Sequence, residues 1–254
     1  MRTIDLNSDL GEGFGPWTMG DDAALLQVVT SANIACGGHA GDADTMYATL
    51  RRAGERGVTV GAHPGYEDRA GFGRRVIPMT PAEIGRMVAA QVGALQGVAS
   101  LAGVRVAYVK PHGALANLAA DRTDVAQAIT EAVATLPGRL AVLAISGTAL
   151  EQSARAAGLA VFSEIFADRG YLPNGRLVPR GQPGDMIDDA EAACARLLGF
   201  LDSGRMPVVG GAPIPLAAQS ICVHGDGPAA LAMAQAIRAG LGAAGVTLRA
   251  FLPG

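Results

Sequence analysis

Short runs of apolar and β-branched residues alternate with longer Ala- and Leu-rich segments along most of the sequence. The short runs have the length and composition of strands, and the longer segments repeat their apolar residues with helical periodicity. Such an alternation is typical of β/α units, whose strands lie parallel in one sheet. The predicted strands are residues 3–7, 32–35, 58–62, 105–110, 140–145, 160–166 and 220–224. The predicted helices are residues 22–31, 42–54, 81–102, 123–136, 148–157, 185–201 and 227–243.

Seven β/α units predict an α/β fold with a mainly parallel sheet, closed or nearly closed into a TIM-like (β/α)7 barrel. A doubly wound open sheet is the alternative. Because an α/β barrel of 254 residues routinely forms one domain, we expect a single domain over residues 1–254. Residues 206–217 have the pattern of a small inserted hairpin, and residues 246–252 that of a final extended segment.

Charge and cysteine content argue against several classes of function. The net charge is −3 and basic residues are scattered among acidic ones, so neither nucleic acid nor an anionic membrane is an expected partner. Cys36, Cys194 and Cys222 are widely spaced without a C-x-x-C pair, which indicates buried thiols. Without a membrane-spanning apolar run or a secretory signal, we expect a cytoplasmic protein with a small-molecule or protein partner.

The positions of the histidines indicate a functional site. All four lie at the ends of different predicted strands or just after them: His39, His63, His112 and His224. In parallel α/β folds the carboxyl ends of the strands meet at one face, where loops converge on a substrate. A single histidine at a strand end is as often structural as functional, but four at the same face favour a site.

Asp9 and Glu12 follow the first predicted strand and join His39 and His63 as possible ligands. Carboxylate oxygens and imidazole nitrogens suit a divalent metal. No H-E-x-x-H or H-x-H motif fixes a geometry, so general acid/base chemistry by the same residues is an equal alternative. The sequence therefore leaves both roles open.

Lys110 is the only lysine beside nineteen arginines, and it lies directly before Pro111 and His112. A lysine supplies a compact charge, or an amine whose pKa burial can lower, and arginine supplies neither. The polar loop 168–180 carries three arginines and follows a predicted strand, so we interpret it as a lid that clamps a carboxylate or phosphate. A solvated surface loop is the alternative.

Six segments together resemble one known family. They are DLNSDLGEGFG, SANIACGGHAGD, GAHPGYEDRAGFGRR, VKPHGALAN, EIFADRGYLPNGRLVPR and ICVHGD, and they extend from Asp5 to Asp226. In this order they are similar to the LamB/YcsF family. The resemblance implies a distorted barrel related to polysaccharide deacetylases. It also implies the A subunit of prokaryotic 5-oxoprolinase, which acts with the B and C subunits to open 5-oxo-L-proline to L-glutamate with ATP hydrolysis.

The resemblance also implies roles for the residues at the strand ends. By analogy with the deacetylases, Asp9, His39 and His63 would bind a metal. Asp9 or Glu12, paired with His63 or His112, would position and deprotonate water, and Lys110 would stabilise negative charge. The remaining candidates would contact substrate or phosphate: Asn7, Glu164, Asp168, Arg169, Arg180 and His224.

The implied cofactor is ATP with Mg²⁺, although the sequence has no Walker A motif. Two other functions remain open. One is a metal-dependent amidohydrolase or deacetylase that needs no ATP. The other is a non-catalytic subunit that binds the lactam and presents it to partner chains.

Overall fold

The computed structural model describes residues 2–227 and 229–252. The strands are β1 (Thr3–Leu10), β2 (Ser31–Ala35), β3 (Thr59–His63), β4 (Val106–Val109), β5 (Ala141–Ile145), β6 (Val161–Phe166), β7 (Arg205–Met206), β8 (Ile214–Pro215), β9 (Ser220–Cys222) and β10 (Thr247–Leu248). The helices are α1 (Asp22–Leu25), α2 (Ala43–Glu55), α3 (Pro81–Ala102), α4 (Gly113–Asp121), α5 (Thr123–Thr135), α6 (Ala149–Ala156), α7 (Ala190–Ser203) and α8 (Ala230–Ala243).

Seven parallel strands close into a barrel. Strands β1 to β6 pair in sequence order, and β9 pairs with both β6 and β1. Closure confirms the predicted TIM-like (β/α)7 barrel and excludes the open sheet. Outside the barrel, β7 and β8 pair antiparallel within the segment predicted as a hairpin, and β10 adds to the N-terminal half of β1.

Three helices differ clearly from the sequence prediction. Helix α7 begins at Ala190 rather than at residue 185, because Asp189 caps its N-terminus by accepting from the Glu191 N–H. Helix α1 ends at Leu25 rather than at residue 31, because the β-branched residues Val28, Val29 and Thr30 lead directly into β2. Helix α4 was not predicted, since it is short and begins at a glycine with a φ of +50° behind a proline-containing turn. By contrast, α3 has the predicted bounds and the Thr80 and Glu83 capping box.

The two faces of β1 separate the apolar core from a polar barrel interior. Ile4, Leu6 and Leu10 pack in the core between barrel and helices. The alternate residues Asp5, Asn7 and Asp9 face inward, because side chains of a strand alternate between its two faces, and all three are buried. A polar interior requires that its buried groups find hydrogen-bond partners, and these partners come from the other strands.

The N-terminal end of the barrel is apolar. Phe251, beyond β10, packs against Tyr108 and Phe162 at ring-centroid distances of 5.0 and 4.6 Å. These rings lie beneath the polar interior, so the candidate site faces the opposite end. Within the described residues, no helix combines the length and apolar character that a bilayer crossing requires.

Candidate active site

Lys110 lies at the centre of the polar interior. It follows β4 directly, and its Nζ atom is 2.9 Å from Asp9 Oδ1 and 3.0 Å from Glu164 Oε1. All three side chains are buried. The barrel therefore holds one cation between carboxylates from β1 and β6.

Electrostatics keep the Lys110 and Asp9 pair charged. Burial alone would lower the pKa of Lys110, but nearby acidic groups, Asp9 first, raise that pKa well above its ordinary value. Burial would raise the pKa of Asp9, yet attraction to His63 and Lys110 lowers it well below its ordinary value. Glu164 differs, because burial raises its pKa and its Oε2 atom is buried without a hydrogen-bond partner. Asp9 is thus the carboxylate of this centre that is held in its charged form.

Two asparagines and a tyrosine orient this centre. Asn33 Nδ2 donates to Asp9 Oδ1 at 2.8 Å and to Asn7 Oδ1 at 2.7 Å. Tyr108 donates its hydroxyl proton to Asn33 Oδ1 at 2.7 Å, and Asn7 Nδ2 donates to Glu164 Oε1 at 2.9 Å. Sequence reasoning identified Asn7 but missed Asn33 and Tyr108. The available signal was a polar residue inside the otherwise apolar run of β2.

A second group of residues forms a possible metal site beside Asp9. One ligand atom from each of Glu12, His39, His63 and His112 lies within 4.8 Å of the others, and all four side chains are buried. The rings of His39 and His112 stack at a centroid distance of 3.7 Å. We call these four residues the Glu/His3 cluster. It contains two of the three predicted metal ligands, with Glu12 as its carboxylate in place of Asp9.

Backbone carbonyls fix the tautomers of two cluster histidines. His63 Nδ1 lies 2.7 Å from the carbonyl oxygen of Lys110, and His112 Nε2 lies 2.8 Å from that of Phe72. Each of these nitrogens must carry the proton, because a carbonyl oxygen can only accept. In the neutral rings, the facing atoms His63 Nε2 and His112 Nδ1 then both present lone pairs, 3.0 Å apart. A shared proton or a divalent cation would relieve their repulsion.

Burial favours the ligating form of the cluster. It lowers the pKa of His39 and of His112 well below the ordinary value, with further lowering by neighbouring histidines. Neutral imidazole is the form that binds metal. Burial, followed by repulsion from Asp9, raises the pKa of Glu12 well above its ordinary value, which a bound cation would reverse. Three imidazoles and one carboxylate fit a divalent ion such as Zn²⁺.

Gln91 of α3 supports the loops that carry the cluster. Its Oε1 atom accepts from the Gly65 N–H at 3.0 Å, and its Nε2 atom donates to the Gly65 carbonyl at 2.7 Å. A Cβ atom at Gly38 would lie 2.4 Å from Gln91 Nε2 and 2.6 Å from the Gly65 oxygen, so only glycine allows this close packing. The sequence did not reveal Gln91, because it lies within an otherwise apolar helix face.

His224 faces the same cavity as part of a separate pair. Its Nδ1 atom is 2.8 Å from Asp168 Oδ2, and its ring stacks on Phe166 at 5.4 Å. Burial would raise the pKa of Asp168, but His224 lowers it overall. The carboxylate orients the imidazole, as in other histidine–carboxylate pairs that transfer protons.

A cavity of about 650 Å³ connects these groups. Asp9, His63, Lys110, His112 and Glu164 line it together with His224 and Arg180, so the structure brings these predicted residues to one space.

Arg169 also lines this cavity, but its guanidinium donates to the carbonyl oxygens of Asp185 and Val178. These bonds hold the loop together.

Comparisons with known proteins agree with this architecture. The model of the LamB/YcsF family matches residues 4–253. A relative from Nocardia farcinica, named as the A subunit of 5-oxoprolinase, is 54% identical over 98% of this chain and 99% of its own length. A lactam utilization protein from Thermus thermophilus superposes with a TM-score of 0.91 at 41% identity, covering 99% of this chain and 100% of that one.

More distant similarity concerns the fold alone. The T48 deacetylase, solved with substrate, has a TM-score of 0.50 at 12% identity, covering 97% of this chain and 87% of its own. The fold is thus that of a deacetylase-type barrel, as expected. The match over residues 4–253 and the close relatives lead to one conclusion: the chain belongs to the LamB/YcsF family.

Proposed function

We propose that this chain is the A subunit of an ATP-dependent 5-oxoprolinase, which hydrolyses the lactam of 5-oxo-L-proline to L-glutamate together with the B and C subunits. The observation that carries the proposal is the 54% identity, over nearly the whole of both chains, to a relative that bears this name. The cavity of about 650 Å³, which Lys110 and Asp9 help to line, has room for a small cyclic amide as substrate. We expect the reaction in the cytoplasm, where ATP is available.

The reaction needs an activated carbonyl, because the lactam is a resonance-stabilised amide. ATP, with Mg²⁺, would phosphorylate the carbonyl oxygen and leave ADP. One water then adds to the carbonyl carbon, the ring C–N bond breaks and the nitrogen gains a proton, which leaves an acyl phosphate. A second water hydrolyses this acyl phosphate to a carboxylate and inorganic phosphate. The products are L-glutamate, ADP and phosphate.

The residues of the cavity match these requirements. Asp9 carries a charge at neutral pH and can orient the attacking water, and His63 Nε2, 3.4 Å from Asp9 Oδ2, can accept its proton. The Lys110 ammonium stabilises negative charge on the carbonyl or phosphoryl oxygen. His224, oriented by Asp168, can deliver a proton to the ring nitrogen. The Glu/His3 cluster would hold a divalent cation, which supplies Lewis-acid polarisation of a bound oxygen.

The same cluster favours a second candidate function, a metal-dependent amidohydrolase that needs no ATP. The two candidates differ in their need for nucleotide and partner subunits. A third arrangement, in which this chain only binds the lactam, predicts turnover that does not depend on Asp9 or Lys110.

The test is glutamate release from 5-oxo-L-proline by the chain alone and by the chain with the B and C subunits, each with and without ATP. Our proposal predicts release only from the complete set with ATP, with one ADP formed per glutamate. Release by the metal-loaded chain alone without ATP would replace the proposal with the amidohydrolase. Normal release by a complex that contains Lys110→Met would support the lactam-binding role.

A further inference from the structure

Two arginines from different loops meet at the cavity that contains Lys110. Arg74 lies in the loop after β3, and Arg180 lies in the loop after β6. Burial lowers the pKa of Arg180 most, and the positive charge of Arg74 lowers it further. The two guanidinium groups therefore repel each other. Placing like charges together costs free energy unless an anion lies between them.

The contacts of Arg74 leave part of its guanidinium available. Its Nη2 atom lies 2.6 Å from Asp226 Oδ2, and its guanidinium carbon lies 4.9 Å from the centre of the Phe72 ring. An arginine has five N–H donors, and the Asp226 contact occupies one nitrogen. These contacts orient Arg74 and leave further donors for a ligand.

Arg180 uses fewer of its N–H donors in contacts with the protein than Arg74 does. Its side chain donates to Met186 Sδ at 3.7 Å, a weak contact with sulfur. Among residues 2–227 and 229–252, no carboxylate forms an ion pair with it. Arg180 lines the cavity and is exposed at its surface. Asp226, Asp168 and Asp185 attract it without a direct ion pair, so its N–H donors stay available to a ligand.

The other two arginines of this loop are fully engaged. Arg169 donates to two carbonyl oxygens of its own loop, at 2.9 and 2.7 Å. Arg176 donates to Asp121 Oδ1 at 2.5 Å and to the carbonyl oxygen of Ala120 at 3.0 Å. Both anchor the loop, and the anchored loop holds Arg180 at the cavity.

We infer that Arg180, assisted by Arg74, binds the carboxylate of the substrate and makes the site selective for lactams that carry one. A planar guanidinium matches a carboxylate with two parallel hydrogen bonds. The inference rests on the proposed function and deepens it, because it assigns substrate selection to a residue outside the centre around Lys110.

The test measures binding of two ligands to the folded chain by calorimetry. One is 5-oxo-L-proline, and the other is 2-pyrrolidinone, the same ring without the carboxylate. Wild type should prefer 5-oxo-L-proline, and Arg180→Gln should reduce this preference about 10- to 100-fold, the range for a hydrogen-bonded charged group. Binding of 2-pyrrolidinone should stay unchanged in Arg180→Gln. Arg86→Gln, which changes an exposed arginine of α3 that does not line the cavity, is the control and should retain the wild-type preference.

The outcomes separate this inference from the proposed function. If Arg180→Gln keeps the wild-type preference, the inference is wrong, even when the complex releases glutamate normally. Equal binding of both ligands by wild type would also overturn it. If the complex releases no glutamate but the preference still depends on Arg180, the proposed function fails and carboxylate recognition by Arg180 stands.

Discussion

Lys110 Nζ lies 2.9 Å from Asp9 Oδ1, so the only lysine of the chain neutralises a carboxylate inside the barrel. Lys110→Met would leave Asp9 and Glu164 buried without their cation. Removal of one partner from a buried pair costs about 3–5 kcal/mol, and we expect a loss of this size in the free energy of unfolding measured with urea. Arg155→Met removes a half-exposed partner of Glu151 and should cost about 1 kcal/mol or less. Equal losses in the two variants would contradict a buried charged pair.

The Glu/His3 cluster predicts binding of one divalent ion per chain. His39→Ala and His112→Ala should each weaken Zn²⁺ or Co²⁺ binding by at least about 100-fold, because each removes a ligand. His224→Ala is the matched control, since His224 pairs with Asp168 outside the cluster, and its metal affinity should match wild type. Calorimetry and the visible spectrum of Co²⁺ measure the effect. Unchanged binding in the His39 and His112 variants would exclude this site.

The hydrogen bonds of Gln91 connect α3 to the loop that packs against the Glu/His3 cluster, so we expect a change at Gln91 to alter metal binding. Gln91→Leu leaves the N–H and carbonyl groups of Gly65 without partners, which should lower the free energy of unfolding by about 2–4 kcal/mol. Gln96→Leu, on the same helix, removes one bond to Pro137 and should cost about 1 kcal/mol. The Co²⁺ spectrum of the folded Gln91 variant should also differ from wild type. A wild-type spectrum and stability would show that Gln91 does not position this loop.

Asp5 predicts a pH dependence of stability. Burial raises its pKa from 3.8 to about 6, and bonds from Ser220, Thr30 and Ser31 only partly offset that effect. The folded state thus binds the Asp5 proton more tightly than the unfolded state does. Protonation of Asp5 therefore stabilises the folded state fully below pH 3.8, and this stabilisation is lost as the pH rises through about 6. This difference in the Asp5 pKa between the two states corresponds to about 3 kcal/mol in the free energy of unfolding.

Asp5→Asn removes this titration. The difference in unfolding free energy between wild type and Asp5→Asn should change by about 3 kcal/mol between about pH 4 and pH 7, in favour of the variant at the higher pH. Urea unfolding across this range measures it. Asp202→Asn, an exposed control, should show a nearly constant difference from wild type. A constant difference for Asp5→Asn as well would mean that the Asp5 pKa is not raised.

The sequence predicted the barrel and most of the charged and histidine side chains that line the cavity, because both depend on local patterns. Strand composition located the seven barrel strands, although β1 and β3 extend beyond their predicted ends at residues 7 and 62. Asp9 and His63 therefore lie in the last residues of these strands, and Lys110 directly follows β4. The Thr80 capping box fixed the start of α3.

Contacts between distant parts of the chain could not be read from the sequence. His224 pairs with Asp168, a residue 56 positions away, rather than with the nearby Asp226, because closure between β6 and β9 brings the two together. Asn33 and Gln91 lie inside a strand and a helix, where local pattern indicates packing rather than a role in the site.

We propose that the lactam of 5-oxo-L-proline is opened beside Asp9 and Lys110. The most direct measurement is glutamate release from 5-oxo-L-proline by the ATP-supplied complex containing Asp9→Asn, which removes the charge while preserving the size of the side chain. With assembly verified and Asp202→Asn as the control, we predict a turnover at least about 100-fold below wild type. A turnover within about twofold of wild type would show that Asp9 takes no part in the chemistry.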